Sequence, residues 1–122
     1  MSRPPVSSGA VLRDIQHATT RMKKVRKLMT ELRHGSASED AWAKAAAAGL
    51  EAAKGAAGIV ANLPDDLAEP DLILKAVQMQ RYATGLLVRV RRIRTALGRE
   101  GGYRDLVGGE AEMEFEEGSE DE

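Results

Sequence analysis

Few residues of this sequence have the type and spacing that catalysis or metal binding requires. The chain has no cysteine, which excludes disulfides, thiolate metal sites and cysteine nucleophiles. Its two histidines, His17 and His34, lie too far apart on one predicted helix to bind the same metal ion. The pairs Gly101-Gly102 and Gly108-Gly109 do not join a strand to a helix, so they do not form a phosphate-binding loop. We therefore expect no catalytic residue, no metal ion, no cofactor and no small-molecule substrate.

The basic residues, in contrast, form two clusters that could bind a polyanion or an acidic peptide. Glu31 is the only acid between residues 21 and 33, whereas a surface that only confers solubility mixes both signs. A simpler explanation covers part of the pattern, because cations near a helix C-terminus stabilise it by about 0.3 to 1 kcal/mol each. The candidate residues are Arg21, Lys23, Lys24, Arg26, Lys27, Arg33, Arg89, Arg91, Arg92, Arg94 and Arg99.

The acidic residues are concentrated at the other end of the sequence. Residues 1–109 contain all 18 basic residues and 11 of the 19 acids. Residues 110–122 contain the other eight acids and no base. Such a segment repels itself and buries too little apolar surface to fold alone. We expect it to be disordered, or ordered only by a basic partner. The alternation Glu112, Met113, Glu114, Phe115, Glu116 places two apolar anchors among acids and is a candidate docking motif; the alternative is a purely solubilising tail.

Three stretches with apolar residues at alternating steps of three and four predict helices over residues 9–34, 38–63 and 70–97. Capping and breaking residues separate them: Gly35, then Ser36 at capping-box spacing to Glu39 with Ser38 as a second candidate cap, then Pro64, Pro70 and Gly98. Short connections favour antiparallel neighbours. The sequence therefore predicts an all-α protein, a three-helix up-down-up bundle made of a helical hairpin and a third helix.

The second predicted helix has a seam of mostly small residues, including Gly49, Ala53 and Ala56. Small side chains bury little area, so we expect this helix to be stabilised by close backbone approach to its neighbours.

The chain divides into four predicted parts: a flexible lead over residues 1–8, the helical bundle over 9–98, a glycine-containing linker over 99–109 and the acidic tail over 110–122. In an up-down-up bundle the first and third helices run in the same direction. Their C-terminal halves, which carry the two basic clusters, should then lie at one end and form a cationic pole from which the tail also leaves.

The third helix carries more apolar residues than packing in a three-helix bundle requires. Outside its seam lie Ile73, Leu74, Val77, Leu87 and Val88, which we interpret as a candidate association face.

These observations favour a non-catalytic assembly or adaptor protein that acts through helix-helix association, with the acidic tail as a secondary contact. It could be a component of a larger protein or virion-like particle. The expected partner is protein, either a second copy or another subunit. The alternative is a nucleic-acid-binding module that contacts the phosphate backbone and whose basic pole is modulated by the tail. Because no stretch has signal-peptide or membrane-spanning length, we expect no membrane contact and a location in the cytoplasm or inside an assembled particle.

Overall fold

The computed structural model of this protein describes residues 8–35 and 37–106, and within them the fold is all-α. Three helices, α1 (Ser8–Arg33), α2 (Glu39–Ala61) and α3 (Pro70–Leu97), are followed by a short 3-10 helix, η1 (Gly102–Leu106). No strand occurs in this part of the chain. The predicted three-helix bundle is therefore confirmed, with helix ends within two residues of those predicted.

Local side-chain chemistry explains where α2 and α3 begin and end. The hydroxyl of Ser38 accepts a hydrogen bond from the backbone N–H of Ala41 at 3.1 Å, so Ser38 is the N-cap of α2. Ser36, the other predicted cap, lies outside the described residues. At the opposite end, the side-chain amide of Asn62 donates to the carbonyl of Gly58 at 2.9 Å. Pro70 occupies the first turn of α3, where its missing N–H leaves no helical partner unsatisfied.

Contacts between the helices establish that α1 and α3 run in the same direction. The hydroxyl of Ser8, at the start of α1, donates to the carboxylate of Glu69, which directly precedes α3. Further along, the guanidinium of Arg26 lies over the ring of Tyr82, 5.3 Å from its centroid. The C-terminal ends of α1 and α3 therefore lie at the same end of the bundle as the beginning of α2.

The core lies between the three helices and is rich in alanine and methionine. Trp42 is its largest side chain and is 2% exposed. The other buried apolar residues are Val11, Ile15, Ala18, Met22 and Met29 of α1, Ala45, Ala46, Ala52, Ala53 and Ala56 of α2, and Leu72, Ala76, Met79, Ala83, Leu86, Val90, Ile93 and Ala96 of α3. Most of these residues recur at the alternating steps of three and four residues from which the helices are predicted.

Gly49 lies where α2 approaches both α1 and α3 closely. A Cβ atom at this position would lie 2.8 Å from Cγ2 of Val90 and 2.9 Å from Cε of Met29, both shorter than real Cβ contacts. The helix continues through this glycine without a break. The small side chains of α2 thus permit close packing on both neighbours.

After α3 the chain turns back onto it. Gly101 has a φ of 71°, in the region that favours glycine, and a Cβ atom at Gly102 would collide with the carbonyl oxygen of Ala96. Tyr103 and Leu106 of η1 pack against the edge of the core. The described part of the predicted 99–109 linker therefore forms a packed turn and helix.

Candidate functional site

The side chains that could take part in chemistry are dispersed on the surface. His17 is exposed on α1, and His34 is exposed in the turn that follows it. Among residues 8–35 and 37–106, no group of three His, Asp or Glu side chains could hold a metal ion. In the same residues, no helix has the combination of length and hydrophobicity that crossing a bilayer requires.

The eleven candidate basic residues are not equally accessible. Eight are exposed, namely Arg21, Lys23, Lys24, Lys27, Arg91, Arg92, Arg94 and Arg99, and Arg26 is half-buried beside Tyr82. Arg33 and Arg89 are 9% and 7% exposed, respectively. Among the described residues, Nε and Nη1 of Arg33 have no hydrogen-bond acceptor. Arg33 and Arg89 therefore offer little surface to a polyanion, contrary to their inclusion in the predicted pole.

The end of the bundle that carries these bases also carries acids. Because α2 runs antiparallel to α1, its first turn brings Glu39 and Asp40 to this end, and Asp40 pairs with Lys44 at 3.4 Å. In η1, a carboxylate oxygen of Asp105 lies 3.2 Å from Nη2 of Arg99. This end of the bundle therefore carries carboxylates as well as bases.

Three of the basic residues line a cleft between the last turns of α3 and η1, which has a volume of about 440 Å³. Its basic residues are Arg91, Arg92 and Arg99, and its apolar residues are Val88, Ala96 and Leu106; Thr95 and Asp105 complete the lining. We call this site the basic cleft. The lining contains three arginines and one carboxylate, so the basic cleft carries a net positive charge. We call its apolar residues, Val88, Ala96 and Leu106, the apolar floor.

The predicted association face is largely solvent-exposed in the described structure. Leu74 is 55% exposed, and Ile73, Val77 and Val88 are 43%, 39% and 37% exposed. Leu87, in contrast, is half-buried and packs against the core. We call Ile73, Leu74, Val77 and Val88 the apolar face.

The apolar face and the basic cleft occupy the same side of α3. With about 3.6 residues per turn, Ile73, Val77, Val88 and Arg91 project in similar directions. At about 1.5 Å per residue, Val77 and Arg91 are separated by about 21 Å along the helix. The outward side of α3 therefore carries Ile73 and Val77 nearer its beginning and Arg91 nearer its end.

Sequence reasoning missed part of this site. Thr95 has no sequence signal for this site, and Asp105 and Leu106 fall within the predicted linker. The signal was the Gly101-Gly102 pair followed by a short segment with apolar residues, which permits a tight turn and a return to the bundle. The predicted docking residues 112–116 lie outside the described residues.

The fold and the site define a three-helix bundle with an exposed apolar face and a basic cleft on one helix. Comparisons of the chain with protein-family models, with curated proteins and with solved structures gave no match.

Proposed function

We propose that this protein is a non-catalytic assembly or adaptor protein that binds a protein partner, in the first instance a second copy of itself, through the apolar face of α3. The observation that supports this proposal is the exposure of Ile73, Leu74 and Val77 together on one side of a helix. Contiguous apolar surface of this kind is typical of interaction sites, since its exposure to water is unfavourable.

The charges on α3 favour one arrangement of two copies. If the α3 helices paired in parallel over their full length, Arg91 and Arg92 of both copies would lie together and repel. A two-fold contact confined to the first half of α3, with the helices antiparallel, buries both sets of Ile73, Leu74 and Val77 and keeps the two basic clefts apart. Full burial of each such side chain contributes only about 1.5 to 3 kcal/mol, and part of each is already buried, so we expect weak association.

The proposal is tested by the mass in solution of wild type and of a Leu74→Glu/Val77→Glu variant, measured by sedimentation across the micromolar range. Wild type should exceed the 13.2 kDa of one chain as its concentration rises, and the variant should remain at that mass. Ala47→Glu/Ala57→Glu is the matched control, since it adds the same charge at exposed positions of α2, outside the proposed contact. A wild type that stays at one-chain mass throughout, or a control that dissociates equally, contradicts self-association through this face.

The exposed bases of α1 and α3 favour binding to the phosphate backbone of nucleic acid as a second candidate function. Single-strand binding by stacking has less support. Trp42 is buried, and Tyr82 and Tyr103 each have an arginine over the ring, at 5.3 and 5.9 Å from the centroid. Backbone binding predicts an affinity for duplex DNA that falls steeply with salt and weakens when Lys23 and Lys27 are replaced by glutamine.

A further inference from the structure

The basic cleft has the chemistry of a binding site for an acidic peptide. Asp105 is already paired with Arg99, so the guanidinium groups of Arg91 and Arg92 are available to carboxylates, for which arginine provides a matching fork of donors. Next to them, Val88, Ala96 and Leu106 form an apolar floor. A nucleic-acid backbone makes no use of such a floor, whereas a peptide with apolar side chains among its acids does.

The chain itself supplies a segment of this composition. Residues 110–122 contain eight acids and the apolar side chains Met113 and Phe115. Leu106, the last described residue, lines the basic cleft, and only residues 107–109 separate it from Glu110. Glu110 follows Leu106 by four residues, and at no more than about 3.5 Å per residue it can lie at most about 14 Å from Leu106.

We propose that the basic cleft binds the acidic segment, residues 110–122, of its own chain. Carboxylates of the segment pair with Arg91 and Arg92, and Met113 or Phe115 packs on the floor formed by Val88 and Leu106. The short tether holds the segment at an effective concentration of roughly millimolar, so weak contacts suffice. This contact goes beyond the proposed association through the apolar face and does not depend on it.

A spin label on residues 110–122 of the full chain tests the proposal directly. Because the chain has no cysteine, Ser119→Cys provides a single attachment site away from Met113 and Phe115. The label should broaden the amide resonances of Val88, Thr95 and Leu106 and leave that of Val11, at the opposite end of the bundle, unchanged. High salt should remove the broadening, since it screens exposed charges.

Variants in the same labelled chain identify the contacts. Arg91→Gln/Arg92→Gln should abolish the broadening, and Met113→Ser/Phe115→Ser should reduce it. Arg13→Gln, an exposed arginine at the other end of α1, is the control and should retain it. Circular dichroism checks that each variant keeps its helices.

Three results would overturn the proposal. The first is broadening that is absent, or that persists unchanged in Arg91→Gln/Arg92→Gln. The second is broadening that occurs only when spin-labelled chains are mixed with isotope-labelled chains that carry no spin label. That result would assign the contact to a second copy. The third is absent broadening together with shifts of Arg91 and Arg92 on addition of a short DNA duplex, which would make the basic cleft a nucleic-acid site.

Discussion

Replacing Gly49 with alanine tests how closely the three helices approach one another. The added Cβ would lie 2.8 Å from Val90 and 2.9 Å from Met29, so at least one neighbour must move. The flexible end of Met29 can move aside, but Val90 is branched at Cβ and 2% exposed. Overpacking of this kind costs about 1 to 3 kcal/mol. Alanine has a helix propensity better than that of glycine by about 1 kcal/mol, so the free energy of unfolding should fall by up to about 2 kcal/mol.

Gly58 provides a control in the same helix, because a Cβ there meets nothing within 4 Å. Gly58→Ala should therefore raise the free energy of unfolding by up to about 1 kcal/mol. Urea unfolding, followed by circular dichroism and by the fluorescence of the buried Trp42, measures both variants. Equal stabilisation by the two substitutions would refute the close approach at Gly49.

Three further substitutions test individual contacts. Arg33→Met should raise the free energy of unfolding, measured in urea, by about 1 kcal/mol, because it removes a buried charge whose Nε and Nη1 have no acceptor among the described residues. Arg13→Met, at an exposed position, is the control. Destabilisation by Arg33→Met would contradict the reasoning. Ser38→Ala should lower the free energy of unfolding by about 1 kcal/mol, because α2 loses its N-cap. An unchanged urea midpoint would argue against that cap. Gly102→Ala should increase amide hydrogen exchange in residues 102–106, because the added Cβ would force η1 away from Ala96. The core amides of α2 should remain protected. Unchanged exchange in residues 102–106 would contradict the close contact.

The three helices could be predicted from sequence because their signals are local. Pro70 marks the beginning of α3 by its own backbone preference, and Ser38 caps α2 through an N–H three residues away. The close approach at Gly49 was also predictable, since small residues recur there at the spacing of a packed helix face. Each of these signals lies within a few residues of the feature that it determines.

The candidate site could be predicted only in part, because its geometry depends on contacts between elements. The basic cleft requires η1 to return to α3, and this turn places Asp105 beside Arg99. The burial of Arg33 had a usable signal, because it follows the buried Met29 by four residues and so lies on the same side of α1. The inclusion of Arg33 in the predicted cationic pole rests on its charge alone, whereas its position on the helix indicates burial.

The central claim, association through the apolar face of α3, is tested most directly by a dilution series of the full-length, isotope-labelled chain followed by amide NMR. We predict concentration-dependent shifts for Ile73, Leu74 and Val77, with little change at Arg91 and Arg92 in the second half of α3. Shifts that are absent across the micromolar range, or that occur elsewhere on the described surface and not at these residues, would contradict the claim.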